Sequence, residues 1–175
     1  MTISEFKIYF KKELSELYTE SESAALYSIF VNKLVGFDKY LQRRFENHPL
    51  LESHIEDLEN FISELKTGKP FQQILGETEF YGLKFSMDEN VLIPRPETEE
   101  LLELAIEKIK NNFQNKALKI LDIGTGSGII PIVLKKKVPD AKVSAIDYSE
   151  KALKVAQKNA DFHEVEIEFI HQDYL

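Results

Sequence analysis

The residues best suited to chemistry lie at positions 120–128, Ile-Leu-Asp-Ile-Gly-Thr-Gly-Ser-Gly. An apolar run of strand length feeds into a turn carrying Gly124, Gly126 and Gly128, and a helical pattern follows. Glycine lets the backbone take positive φ and lets a ligand approach it closely. In an open α/β sheet such a turn sits at the carboxyl end of the first strand, where nucleotide-like ligands bind. A plain strand-to-helix turn needs neither three glycines nor the acid at Asp122. A second acid, Asp147, stands 23 residues beyond Gly124, where a carboxylate can accept both hydroxyl hydrogens of a ribose. Taken alone it also reads as a helix-start residue beside Ser149. Asp173 closes a third apolar run and is placed to accept from an exocyclic amine of adenine. Asp122 either fixes the turn or faces a cationic part of the ligand.

The glycine spacing is G-x-G-x-G, and Ile129 occupies the place of the third glycine in the dinucleotide pattern G-x-G-x-x-G. An acid before the turn is also awkward beside a pyrophosphate. Three acids in this order suit a ligand with a ribose, an adenine, a positive charge and no phosphates. S-adenosylmethionine is such a ligand, and NAD is its competitor. A second constellation is Ile-Pro-Arg-Pro-Glu-Thr-Glu-Glu at 93–100. Pro96 suits the first turn of a helix, and Glu97, Glu99 and Glu100 complement the positive end of its dipole. Capping asks for neither a second proline nor an arginine between the two, so Arg95, Pro96, Thr98 and Glu99 are candidates for supporting a site. His48, His54, His163 and His171 show no ligand spacing, and no metal is implied.

The elements that position these residues follow from periodicity. Ile3, Phe6, Phe10, Leu14 and Leu17 recur at helical spacing. A second helix opens at Ser21-Glu22-Ser23 and closes at Gly36, a short third runs from about residue 38 to 46, and a fourth from about 50 to 66. The aromatics of this region read as core. Pro70 to Gly76 is a transition, after which the period becomes alternating. The acidic and amide cluster Asp88-Glu89-Asn90 between β-rich runs suggests a hairpin turn, with Val91-Leu92-Ile93 as the returning strand. Leu101, Leu104, Ala105, Ile106 and Ile109 then supply the buried face of a helix. The glycine-turn strand, about 117–123, is apolar on both faces, as a strand covered on both sides should be. Helices from Ser127 and from Ser149 alternate with strands ending at Asp147 and Ile170, and βαβαβ calls for a parallel sheet.

Bulk properties set the outer bounds. The chain has 175 residues, 43% hydrophobic and 30% charged, which is ordinary for a globular protein. A net charge of −8 argues against general affinity for nucleic acid. There is no cysteine, which fits a cytoplasmic location. No apolar run has the ~20 residues of a membrane span.

Beyond these readings, the chain resembles the peptide chain release factor glutamine-N5 methyltransferases, an S-adenosylmethionine-dependent family. The resembling residues are Pro-Phe-Gln-Gln-Ile-Leu-Gly at 70–76, Phe-Tyr-Gly at 80–82, Val-Leu-Ile-Pro-Arg-Pro-Glu-Thr-Glu at 91–99 and Leu-Asp-Ile-Gly-Thr-Gly-Ser-Gly at 121–128. Arg-Pro-Glu-Thr-Glu before such a turn is far more specific than the turn itself; Gln73, where the family usually has tyrosine, is a departure. The resemblance implies a helical substrate-recognition domain at 1–76, a β-hairpin linker at 77–94 and a partial methyltransferase domain at 95–175. The architecture is then α/β, a helical bundle followed by the first βαβαβ half of a Rossmann-like sheet. Asp122, Gly124, Thr125, Gly126, Ser127, Gly128 and Asp147 would line the cofactor site, with Asp173 and Tyr174 flanking adenine. The partner would be a class 1 release factor, methylated on the glutamine of its Gly-Gly-Gln motif, with no membrane and no direct nucleic-acid binding. The family's Asn-Pro-Pro-Tyr signature, which would orient the substrate amide for in-line displacement, is absent from these residues. The expectation is therefore a truncated chain without its catalytic residues, inactive alone, with the glycine-turn strand as an unpaired edge. Competing readings are a non-catalytic partner-binding module and an adenine-N6 nucleic-acid methyltransferase, the latter opposed by the acidic composition.

Overall fold

The structure is a computed structural model that describes residues 1–112 and 117–174. The chain divides into two compact units, Met1–Leu75 and Gly76–Leu175. The first holds α1 (Ile3–Glu13), α2 (Glu20–Val35), α3 (Lys39–Arg44), α4 (Glu52–Lys66) and a short α5 (Phe71–Leu75). Its core is aromatic: Phe6, Phe10, Tyr27 and Phe30 are fully buried along with Leu14, Leu58 and Leu65. Phe30 stacks on Phe61 with ring centroids 4.1 Å apart. Burial pushes the Tyr27 phenol up, and its hydroxyl donates to the Ile3 carbonyl, so the one polar atom of that ring is satisfied.

Two capping boxes set the helix starts. Thr2 caps α1 with Glu5, and Thr19 caps α2 with Glu22. The start of α2 therefore falls before the Ser21-Glu22-Ser23 expected to open it, because Thr-x-x-Glu satisfies two orphan amides reciprocally. Gly36 ends α2 at φ 74°, as a left-handed cap should. The transition at 70–76 contains α5 rather than simple coil, with Gln73 and Ile74 amides donating to the Pro70 carbonyl.

The second unit opens with an antiparallel hairpin, β1 (Glu77–Phe80) and β2 (Leu83–Ser86), followed by α6 (Glu97–Asn112). Then come β3 (Lys119–Ile123), α7 (Ile129–Lys137), β4 (Lys142–Asp147), α8 (Glu150–Phe162) and β5 (Glu168–His171). The last three strands form a parallel sheet in the order β3-β4-β5, with Leu121 opposite Ser144 and Ala145 opposite Phe169. This is the βαβαβ arrangement of a Rossmann-like sheet, and among the described residues β3 pairs on one side only.

The structure corrects three expectations here. The hairpin turns at Tyr81-Gly82, not at Asp88-Glu89-Asn90, and 91–93 form no strand. Tyr81 and Gly82 have φ of 53° and 69°, the two positive values whose twist matches the flanking strands. The core face of α6 is Leu102 and Ile106 with Ala105 and Ile109, while Leu101 and Leu104 are exposed. Finally, β3 is not buried on both faces: Leu121 and Ile123 are 54% and 52% exposed. The residues that alternate with them lie on the other side, where Ile120 packs into the core.

The hairpin, expected as a connector, is bonded into this unit. At its turn, the Tyr81 amide donates to Glu99 Oε1 at 2.7 Å and the Tyr81 hydroxyl donates to Glu103. Lys137 Nζ lies 5.0 Å from the Tyr81 ring centroid. Further along, Asn159 of α8 is fully buried. Its Oδ1 accepts from the Ser86 amide at 2.7 Å, and its Nδ2 donates to the carbonyls of Ser86 (3.1 Å) and Ser127 (2.9 Å). One side chain thus holds β2 and the glycine turn to the same helix. His163 Nε2 donates to the Lys84 carbonyl at 2.7 Å.

Substitutions at Asn159 and at two of the glycines test this packing. Asn159→Leu strands one amide and two carbonyls, each costing about 1–3 kcal/mol if left unpaired, so urea unfolding should show a loss of at least about 2 kcal/mol. Asn159→Asp places a carboxylate against two carbonyls; that carboxyl group's folded pKa is raised, and the variant should lose stability as pH rises and recover part of it near pH 4. Gly128 has φ 77°, and a Cβ there would lie 3.0 and 3.1 Å from Ala156 Cβ and Cα. Left-handed strain and overpacking add, so Gly128→Ala should cost about 2–4 kcal/mol. Gly126→Ala meets no atom within 4 Å and should cost only the backbone strain, about 1–2 kcal/mol. Equal losses at the two glycines would contradict this account.

Candidate functional site

The carboxyl ends of β3, β4 and β5 converge around the glycine turn. Gly124 and Thr125 both donate their amides to the Ile146 carbonyl, at 2.9 and 3.0 Å. The turn is thereby sewn to the end of β4 as it leaves β3. Gly124, Gly126 and Gly128 have φ of 76°, 55° and 77°, all in the region that favours glycine. Gly128 caps α7, and its amide donates to the Thr125 carbonyl at 3.0 Å.

Asp147 is the hub of this arrangement. It is 5% exposed, and its Oδ2 accepts from the Gly126 amide at 2.8 Å while Oδ1 accepts from the Ser149 amide at 2.9 Å. Its carbonyl accepts from the Gln172 amide at 3.1 Å. The glycine turn, the start of α8 and the chain leaving β5 therefore meet on one residue. A carboxylate has about four lone-pair sites, so Asp147 retains capacity to accept two further donors from a ligand. Tyr174 stands over the turn, since a Cβ on Gly124 would lie 3.4 Å from its hydroxyl oxygen. Asp173 precedes it in the same segment.

The electrostatics of the turn are negative. Asp122 Oδ2 and Thr125 Oγ1 are buried, and neither makes a well-formed hydrogen bond. Burial pushes the Asp122 carboxyl up, the nearby Thr125 hydroxyl opposes that rise, and the Asp147 carboxylate adds to it. Two carboxylates of unlike surroundings thus lie close together beside the glycine turn. An incoming cation would relieve the repulsion between them, whereas a pyrophosphate would add to it. The donor set and the orphaned oxygens fit a cationic adenosine-type ligand. Among the described residues no group of three or more metal-ligating side chains occurs.

The sequence-predicted residues separate into two sets. Asp122, Gly124, Thr125, Gly126, Ser127, Gly128, Asp147 and Tyr174 are gathered at the strand ends, with Asp173 beside them in sequence. Arg95, Pro96, Thr98 and Glu99 lie at the start of α6, and no recorded hydrogen bond among the described residues ties them to the turn. Glu99 instead holds the Tyr81 amide. The Thr98 and Glu99 amides donate to the carbonyls of Arg95 and Pro96, so this segment serves as the tight entry to the helix. Asn159 was missed by sequence reading. A signal existed: it falls on the buried stripe of α8 with Ala152, Val155, Ala156 and Ala160, where a lone amide implies partners to be satisfied.

Residues 101–175 match the family model described as methyltransferase small domain. The chain is 44% identical over its whole length to a release factor glutamine methyltransferase of Flavobacterium psychrophilum and covers 61% of that protein. It is 38% identical over 94% of its length to one from Bacteroides thetaiotaomicron, covering 58% of it. Among solved structures it is similar to a ribosomal protein L11 methylase from Lactobacillus delbrueckii subsp. bulgaricus at 31% identity, with a TM-score of 0.38 over 45% of this chain and 38% of that one. The chain spans about three fifths of the length of the two curated relatives. With its glycine turn, its paired acids and this similarity running from end to end, the chain is similar to the release factor glutamine methyltransferases over the part of their length that it spans.

Proposed function

We propose that residues 122–128 with Asp147, Asp173 and Tyr174 form an S-adenosylmethionine site, and that the chain serves a methyltransferase acting on the side-chain amide of a glutamine in class 1 release factors. The observation that carries the cofactor reading is the pair of acids at a glycine turn, Asp122 half-buried with its carboxyl pushed up and Asp147 buried and held by two amides. When bound, the cofactor supplies a methyl group on a positively charged sulfur as the electrophile. Asp147 accepts the ribose hydroxyls, Asp122 faces the positive charge, and the open space over Gly126 admits the ligand against the backbone. Tyr174 and Asp173 flank the adenine. The helical unit recognises the protein substrate, which would place the chain in the cytoplasm. Among the described residues no helix is long and apolar enough to cross a membrane.

Isothermal titration of this chain should show S-adenosylhomocysteine binding and no binding of NAD. Asp147→Ala should weaken that affinity at least tenfold, about 1.4 kcal/mol. NAD binding in preference to S-adenosylhomocysteine would overturn the cofactor reading. Asp122 gives a second test, because its folded pKa lies above its unfolded one. Ionisation then opposes folding, so the wild-type chain loses stability as pH rises from about the unfolded value of 3.8 through the folded one. Asp122→Asn removes that penalty. Its melting temperature should exceed wild type at pH 7, with the gain fading below pH 4, while its affinity for S-adenosylmethionine falls. A variant that gains both stability and affinity would show that Asp122 does not face the cation.

A further inference from the structure

A cleft of about 660 Å³ lies wholly within the helical unit, between α1, α2 and α3. Its floor includes Ala24 and Ala25 of α2, whose small side chains leave depth, and its walls carry Lys7 from α1 and Lys39, Tyr40 and Arg43 from α3. The volume falls in the range of sites that enclose small ligands or a short length of chain. What distinguishes it is charge. Lys11, Lys66 and Lys69 are paired with Glu20, Glu13 and Glu64, and Lys33 is also engaged. Lys7, Lys39 and Arg43 are exposed and make no ion pair among the described residues. Unmatched cations therefore converge on one cleft of a unit that is otherwise acidic, with 9 Lys/Arg against 12 Asp/Glu over residues 1–75. Tyr40 adds a ring that is 66% exposed, an aromatic face available for an aliphatic side chain.

We propose that this cleft docks a carboxylate-bearing segment of a protein partner. Arg43 can take a carboxylate in a bidentate pair, and Lys7 across the cleft and Lys39 supply point charges for one or two more. A nucleic acid is the poorer occupant: a phosphate backbone needs a continuous basic track. Here the cleft is bounded by Glu46, and Glu20 and Glu22 open the helix that forms its floor. A short acidic peptide meets the cations and stops before those acids. The identity of the partner rests on the reading that the helical unit recognises release factors; the chemistry of the cleft does not.

The test is fluorescence anisotropy of a labelled class 1 release factor titrated with this chain at about 0.1 M salt, where surface charge still acts over ~10 Å. Lys7→Glu, Lys39→Glu and Arg43→Glu combined should weaken binding at least tenfold. A control with the same change in net charge, Lys108→Glu, Lys110→Glu and Lys142→Glu combined, should stay within twofold. Arg43→Glu alone, expected to lose at least threefold, covers the case in which the triple reversal unfolds by circular dichroism. Equal binding by the cleft and control variants overturns the proposal. Failure of the wild-type chain to bind the release factor sinks the partner assignment alone, and a labelled nine-residue peptide, (Glu-Asp-Leu)₃, then decides the cleft. Binding of that peptide by wild type and its loss in the cleft variant sustain the proposal, whereas absent or variant-independent binding refutes it. Tighter binding of a single-stranded RNA 12-mer than of the peptide, lost in the same variant, would also overturn it.

Discussion

The sheet-bearing unit depends on one buried amide. Asn159 satisfies both backbone groups of Ser86 and the carbonyl of Ser127, so the end of the hairpin and the glycine turn are fixed to the same turn of α8. A buried polar group with several partners is costly to disturb and specifies one arrangement of the elements around it. The consequence is that the hairpin is part of the architecture that shapes the glycine turn. Glu99, Glu103 and Lys137 reinforce this from the other end by holding Tyr81.

At the strand ends, stability and binding pull against each other. Asp122 is ionisable in a place that disfavours its charge, and the neighbouring Asp147 makes that worse. A fold selected for stability alone would carry a neutral residue there. Asp147, by contrast, is stabilised by two amides and organises the turn whether or not a ligand is present. The two acids thus have unlike work: Asp147 builds the turn, and under the proposed function Asp122 keeps it receptive to positive charge. Such pairs of titratable groups in unlike surroundings are characteristic of functional sites.

The helical unit shows the same separation between packing and surface chemistry. Its aromatic core closes around Phe6, Phe10, Tyr27 and Phe30, with capping boxes at two helix starts. Lys11, Lys66 and Lys69 are neutralised by glutamates, whereas Lys7, Lys39 and Arg43 face the cleft between α1, α2 and α3.

Much of this was legible in the sequence because it follows from local rules. Three glycines after an apolar run announce a turn of positive φ, and alternation of apolar runs with helical periods announces the parallel sheet. The acids at the strand ends then fall together by topology. Other features were decided by tertiary contacts. The hairpin turn fell at Tyr81-Gly82 because Glu99 and Glu103 reward a tyrosine in a costly conformation, a payment no local propensity reveals. On α6 Ala105, Ile106 and Ile109 face the core as expected, but Leu102 replaces Leu101 and Leu104 there, since a helix rich in leucine offers two apolar stripes and only its neighbours choose between them. Leu121 and Ile123 are exposed although their strand reads as buried, because hydrophobicity states what a residue prefers and the surrounding elements decide what covers it. Asn159 looked like any mid-helix polar residue until the fold placed three backbone groups within its reach. Sequence alone determined the main helices, the parallel strands and the position of the glycine turn; tertiary structure alone decided which side chains lock that turn in place, since hydrogen-bond partners distant in the chain are set by packing and not by period.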